Sequence, residues 1–395
     1  VTAIVAALRT GARREHLVDH DEVLSLSRFT IPVSLIVPST SADANVSSTI
    51  AALLALNYPE LEVIVVLEQT QGESFDALAR EWQLDAREFF YRRSIETAPV
   101  RRIYRSARDA RVIVIDKTAA GQADAINCGV NMARYRYVAV VPPAIAFDAN
   151  ALLRLMAAPL LDPARVIGAS NHIERSGLFE RMGSARARMM SRLLWRSLRY
   201  GIGPSSAVTV WRRDAVLSVN GFSTRAADPH LDMARRALRS NVERRAGHFH
   251  RGASVFGRTA PRTIISTLAA AGRRQIGVLQ FLPVLSPSGV RTFGARSLAC
   301  FWTGELLIPL AQIWIIAASI IGAAIGVFPW TMVLFALLLL SFGQAAFTTA
   351  ALFMRSAAAD APDEPELVRL LLASPLEIFF YRPALIVAGL FAGQR

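Results

Sequence analysis

VSLIVPSTSADANVSSTIAALLALNYPELEVIVV, residues 33–66, reads as strand, helix and strand. The apolar run 32–38 (PVSLIVP) ends at Pro38, and a polar turn follows from Ser39 to Asn45. Residues 46–56 read as a helix and 61–67 (LEVIVVL) as a second buried strand. The same pattern recurs downstream, with 112–115 (VIVI), a helix from Gln122 to Ala133, and a strand at 137–141 (YVAVV). Buried strands alternating with helices at this spacing predict βαβ units and a mainly parallel, Rossmann-like α/β sheet. Ligands of such sheets sit beyond the carboxyl ends of the strands. The turns after Val37, Val66, Ile115 and Val141 are therefore the places to look for chemistry.

Further along, residues 174–200 interleave arginines with Met, Leu and Trp195, which predicts a basic amphipathic helix. It packs either on a core with solvated arginines or on a membrane surface. Residues 206–220 read as strand then helix, and 264–300 as an interfacial collar carrying Arg273, Arg274, Arg291 and Arg296. Charged residues vanish from Leu306 to Phe353. Leu306–Val327 and Thr331–Phe353 are each long enough to cross a hydrocarbon core of ~30 Å. The short Phe328-Pro329-Trp330 turn between them completes a transmembrane hairpin with an interfacial aromatic. Leu367–Ala392 reads as an interfacial helix with a short third span, or as a surface-lying segment. Val1–Leu8, followed by Arg9, Arg13 and Arg14, reads as the end of a membrane helix or as an interfacial one. The expected organisation is a basic, membrane-proximal segment at 1–30, a nucleotide-fold domain at 31–262, interfacial helices at 263–304, the hairpin at 305–354, and an acidic loop with a last membrane segment at 355–395.

The chain has 395 residues and a formal charge of +13, with Lys117 the only lysine. A basic chain invites a nucleic-acid reading, but single-stranded nucleic acid would want aromatics interleaved with the arginines. No such segment stands out, and the apolar tail makes anionic lipid headgroups the expected counter-surface. Cys128 and Cys300, the only cysteines, show no metal-ligand spacing and fit a reducing cytosolic face. No signal-peptide pattern is present.

Three ordered segments resemble family 2 glycosyltransferases of the GT-A fold. They are 33–66, then GQADAINCGVNMARYRYVAVV (121–141), similar to the family's G-K-A-x-A-L-N stretch, and WRRDAVLSVNGF (211–222), similar to its acceptor-side segment. The resemblance runs from about Ile31 to Arg274. Processive members such as cellulose and hyaluronan synthases also carry C-terminal membrane helices.

Inverting transfer from a nucleotide-sugar requires a divalent metal held by hard carboxylate oxygens and a base for the acceptor hydroxyl. The resemblance implies where these groups belong, and this chain departs at most of those places. The paired Asp after the second strand is Leu67-Glu68, where Glu68 is left to reach the base. D-x-D falls on Pro142-Pro143-Ala144, which offers no ligand; Asp148 beyond it is expected to cap the next helix. The E-D of the base motif is Pro229-His230, followed by a retained Leu231-Asp232. His230 and Asp232 are thus the candidate bases, His230 because imidazole titrates near neutrality. The G-K-A lysine is Gln122, next to Asp124, while Lys117 stands earlier as a phosphate contact or a solvated loop residue. Q-x-x-R-W has become 272–277 (GRRQIG), where Arg273 and Arg274 remain to meet a diphosphate but the tryptophan is gone. His248 and His250 are alternate residues of a strand with no third ligand evident. The expected donor cleft is therefore Pro38, Glu68, Lys117, Gln122, Asp124, Pro142, Ala144, Arg273 and Arg274.

Loss of metal and base positions, with the surrounding Asn127, Gly221-Phe222 and Leu231-Asp232 kept, implies a pseudo-glycosyltransferase. The expectation is a multi-pass protein of a bacterial-type inner membrane, its globular domain cytoplasmic, that binds membrane lipids and assembles with an active glycosyltransferase or other polysaccharide-synthase subunit. It would need no metal cofactor and would keep a cleft for a UDP-sugar-like ligand. The alternatives are an active, metal-independent membrane glycosyltransferase and a lipid- or glycan-binding scaffold.

Overall fold

A computed structural model of the chain describes residues 30–41, 44–70, 72–88, 91–190, 207–243, 248–259, 263–280, 295–303, 307–356 and 364–373. The chain divides into two units, Val1–Glu174 with Arg199–Ala260, and Arg175–Leu198 with Pro261–Arg395.

The first unit is organised by four parallel strands. These are β1 (Val33–Ser41), β2 (Leu61–Gln69), β5 (Val112–Lys117) and β6 (Tyr137–Val140). The other strands are β3 (Leu84–Ala86), β4 (Val100–Ser106), β7 (Ile145–Phe147), β8 (Val166–Arg175), β9 (Ala207–Arg212) and β10 (His248–Thr259). Among the described residues they form one sheet in the order β3-β4-β5-β2-β1-β6-β9-β8-β10-β7. The strand pairs outside the parallel block are antiparallel where their register is defined. The parallel strands are near-continuous Val, Ile and Leu because both faces are covered.

On one face Val33, Leu35 and Val37 join Val63, Val65, Val112 and Ala139 in the main core, with Val46, Ile50 and Leu53 of α1 (Ala44–Leu54) and Leu152, Leu155 and Met156 of α4 (Ala151–Leu161). α2 (Glu73–Trp82) adds Leu78 and Trp82 to the same core. The other face carries α3 (Gln122–Met132), which lies so close to β1 that a Cβ on Gly129 would sit 2.5 Å from Ile36 Cγ2. α6 (Arg213–Ser218) and α7 (Pro229–Glu243) complete this unit. At the amino edge of the sheet, Glu62 is fully buried but well satisfied. Ser34 Oγ donates to it at 2.6 Å, and Arg134 donates through its backbone N (2.9 Å) and Nε (2.7 Å).

The second unit is helical: α5 (Leu178–Met190), α8 (Ile264–Gln280), α9 (Ala295–Trp302), α10 (Ile308–Ala324), α11 (Trp330–Ser356) and α12 (Glu364–Ala373). α10 and α11 form a hairpin whose side chains are widely exposed, with Trp314, Trp330, Phe335 and Phe342 each more than 60% accessible. Among the described residues only one helix, over Trp330–Leu352 of α11, is long and apolar enough to cross a membrane. α10, at 17 residues, is shorter than the expected first span. The last stretch is described only as α12, so the expected third segment beyond Ala373 lies outside the described residues, as does the N-terminal segment before residue 30.

Candidate functional site

The carboxyl ends of β2 and β5 meet the start of α3 around a buried charge cluster. Leu67 is a core residue paired with Asp116, so the next residue, Glu68, is the one that reaches the edge. Glu68 Oε1 accepts from the amides of Ala120 (2.9 Å) and Gly121 (2.8 Å), the two leading into α3. Lys117 is fully buried. Its Nζ lies 2.5 Å from Asp124 Oδ2 and 3.6 Å from Glu68 Oε1, and donates to Thr118 O at 2.7 Å. Asp124, in the first turn of α3, also accepts from Ala98 N at 3.1 Å. Arg101 closes the group by donating to Asp116 Oδ1 (2.8 Å from Nε) and to Glu68 O (3.1 Å).

A helix start of this kind holds anions because its free amides and dipole point at them. Here Glu68 accepts from the two amides that precede the helix. Lys117 is therefore not a solvated loop residue; it is the counter-ion of Asp124 and Glu68. Gln122 is exposed at the helix start, and Pro38 is buried in β1 one pair beyond Val37, past the last β1–β6 partner, Ile36.

At the end of β6 the chain runs through Pro142 and Pro143 to Ala144, which is exposed with φ 62°. Its amide donates to Thr49 Oγ1 of α1 at 3.0 Å. The left-handed backbone costs a non-glycine residue energy and is held by its neighbours. A divalent ion at this turn would need hard oxygen ligands. Pro142, Pro143 and Ala144 have none on their side chains, and among the described residues no group of three His, Cys, Asp or Glu is placed to hold a metal. The residues at this turn do not fit a divalent ion. Asp148 accepts from Asn150 N (3.0 Å) and pairs with Arg154 (2.7 Å), which ties down the approach to α4.

α7 begins with Asp228 as its cap, accepting from the amides of His230 (3.1 Å) and Leu231 (3.0 Å), with Pro229 at the first helical position. His230 is half-buried, edge-on to Phe222 at 5.5 Å, with Nδ1 3.3 Å from Thr209 Oγ1. Thr209 pairs with Val140, the last residue of β6, so His230 stands beside the turn that lacks the carboxylates. Burial lowers the His230 pKa below its usual value and the neighbouring Asp228 only partly offsets this, which keeps the ring neutral at pH 7. Asp232 has both oxygens committed, to Arg235 at 2.8 Å and Arg236 at 2.7 Å. Arg236 also donates to Gly221 O at 2.7 Å, so Asp232 is part of the brace that holds the 219–222 turn.

β8 lies outside the segments that the sequence marks for chemistry. It runs antiparallel to β9, as β6 does, and so points toward the same edge as β6. Ser170, His172 and Glu174 alternate with the core residues Ala169 and Ile173 and therefore face the other side of the sheet, all three buried. Ser170 pairs with Thr209, and Glu174 lies 3.4 Å from Arg258. The S-x-H-x-E alternation within GASNHIER (168–175) was the available signal. Arg273 and Arg274 belong to α8 in the other unit; Arg273 is exposed, and the Arg274 side chain lies outside the described ones, as do those of His248 and His250.

No family model matches the chain, and no curated protein matches it. Among solved structures it is similar to a mannosyltransferase from Pyrobaculum calidifontis, solved with GDP-Man and Mn2+. The TM-score is 0.56 at 14% identity, covering 96% of this chain and 99% of that one. The fold is of the GT-A glycosyltransferase type. S. aureus TarS 1–349 (TM-score 0.43, 11% identity, 90% of each chain) and glucosyl-3-phosphoglycerate synthase from Mycobacterium tuberculosis (0.41, 15%, 66% and 81%) resemble it more loosely. On this GT-A scaffold the ends of β2, β5 and β6 and the start of α7 converge on one edge of the sheet. The resemblance had marked each of them separately.

Proposed function

We propose that this chain is a pseudo-glycosyltransferase: a membrane-held subunit that assembles with, or regulates, an active synthase of a glycan or polysaccharide. The observation that carries this reading is the double occupation of the donor edge. The metal turn is Pro142-Pro143-Ala144, and the amides leading into α3 are taken by Glu68. Neither change alone removes the chemistry. Together they leave this edge with no metal ligand on the turn and with two of its amides already paired, so a diphosphate there meets less neutralising charge.

Membrane attachment is supported by α11, which is long enough to span, and by the exposed apolar side chains of the hairpin. The arginine-rich remainder supports a cytoplasmic sheet unit at an inner membrane by the charge rule, with anionic lipids as its counter-surface. Calorimetry with UDP, UDP-sugars and GDP-Man, with and without Mn2+, tests the reading. Weak, metal-independent binding is expected. Tight Mn2+-dependent binding, or sugar-nucleotide turnover by the purified chain, would overturn it. Co-purification from native membranes is expected to bring down an intact D-x-D glycosyltransferase.

One observation favours the second reading, an active metal-independent enzyme. His230 is neutral and stands beside the end of β6, where a base belongs. On that reading, turnover exists and His230→Asn abolishes it.

A further inference from the structure

α11 consists of two stretches with different surroundings. From Trp330 to Phe347 it carries no charge, and Trp330, Met332, Phe335, Leu339 and Phe342 stand exposed. That stretch of 18 residues measures about 27 Å at 1.5 Å per residue, close to the ~30 Å hydrocarbon core of a bilayer. Its opposite face holds the buried Val333 and Ser341, and at Thr348 that face meets α5. Thr348 is fully buried and accepts from Arg186 Nη1 of α5 at 2.8 Å. Beyond it, Ala351 and Leu352 are covered by Met182, Ala185 and Met189 of α5 and by Leu370 of α12.

α5 is unusual in its origin. It follows β8 directly in the chain and precedes β9, so it interrupts the sheet unit, yet it groups with the C-terminal helices. It carries three arginines against one glutamate. Arginine in the middle of a bilayer is costly, whereas at the boundary its stem packs on apolar surface and its head meets phosphate. The exposed stretch is bounded at one end by Trp330, a residue type that favours the interface, and at the other by Arg186.

We propose that α5 is an interfacial helix that fixes how deeply α11 inserts. The Arg186–Thr348 contact lies at the hydrocarbon–headgroup boundary, and the basic helix α5 lies on anionic phospholipid headgroups. The proposal rests on reading α11 as a membrane span, and the experiment separates the two.

The full chain is used with Cys300→Ala. Cys128 is retained, because it is buried and its thiol is pushed up to about 12 by desolvation, so it does not label. Single cysteines replace Phe342, Ala346, Ala350 and Leu178 in vesicles of phosphatidylcholine with or without one-quarter phosphatidylglycerol. An impermeant maleimide is expected to spare Phe342→Cys and Ala346→Cys and to label Ala350→Cys; in denaturant each of the four is expected to take one label more than the Cys300→Ala parent, in which Cys128 alone reacts. An environment-sensitive dye on Leu178→Cys is expected to shift to the blue in the anionic vesicles, and Arg181→Gln/Arg188→Gln to abolish that shift. If Phe342→Cys labels freely in vesicles, α11 is not a span and both readings fall. If Phe342→Cys is protected but the Leu178 dye ignores lipid composition, or Ala350→Cys is as protected as Ala346→Cys, the span stands and the role of α5 is refuted.

Discussion

Asn127 holds Phe222 by both of its backbone polar groups. Asn127 Nδ2 donates to Phe222 O at 2.8 Å, and Asn127 Oδ1 accepts from Phe222 N at 2.7 Å. All three groups are buried, and the link ties α3 on β1 to the turn that presents α7 and His230. Gly221, beside it, has φ 74°, and a Cβ there would lie 2.4 Å from Asn127 Oδ1.

Asn127→Leu therefore orphans a buried N–H and a buried C=O, at about 1–3 kcal/mol each. A fall of several degrees in melting temperature is expected by scanning fluorimetry of the purified protein. Gly221→Ala is expected to do comparable damage, through left-handed backbone and collision together.

The Lys117 cluster makes a sharper stability prediction. Lys117→Met leaves Asp124 and Glu68 buried without their shared cation and is expected to cost about 3–5 kcal/mol. Lys117→Met/Glu68→Gln/Asp124→Asn removes the charges together and is expected to recover most of that loss. Comparing the midpoints of urea unfolding for wild type, single and triple variants reads the coupling. Additive losses would refute it.

The pH dependence follows from His230. Its folded pKa lies below the unfolded value of 6.5 because burial disfavours the cation. Above 6.5 both states are neutral and His230 contributes no pH dependence. Below it, the unfolded chain takes a proton that the folded ring refuses, so stability falls as pH drops from 6.5 toward the lowered folded pKa. His230→Gln is expected to flatten that part of the acid limb. Melting temperatures across the range in both proteins check it, and parallel curves would be evidence against the assignment.

Ala144 offers a gain rather than a loss. Its φ of 62° is uncomfortable for alanine and easy for glycine. Ala144→Gly is expected to raise stability by about 0.5–1 kcal/mol, after allowing for the greater freedom of glycine in the unfolded chain. A rise of a few degrees in melting temperature is the readout.

Much of the sheet unit was legible because its signals are local. VSLIVP, LEVIVVL, VIVI and YVAVV are too apolar to be anything but buried strands, and each appears within three residues of its expected bounds. The missing carboxylates at Pro142-Pro143-Ala144 were legible for the same reason, since absence of a side-chain oxygen needs no structure to see. What resisted reading was pairing across the fold. Nothing in the sequence says that Lys117 turns inward to Asp124, or that Glu68 reaches the amides of Ala120 and Gly121, because those partners are chosen by register. β8 escaped because Ser170, His172 and Glu174 read as polar until the buried face they share is known. Likewise the apolar stripe of α5 announced that something covers it, but not that the cover is α11.

The contact between Arg186 and Thr348 closes a separation of 162 residues, and this has a consequence for biogenesis. At a synthesis rate of about 5–20 residues per second, α5 leaves the ribosome roughly 8–30 s before its partner on α11 exists. For that interval the later residues that pack on Met182, Ala185 and Met189 among the described ones, Ala351, Leu352 and Leu370, do not yet exist. On the membrane-held function proposed above, a nascent chain in this state gains from early delivery to the bilayer, where the helix made in its middle rests until the C-terminal hairpin arrives.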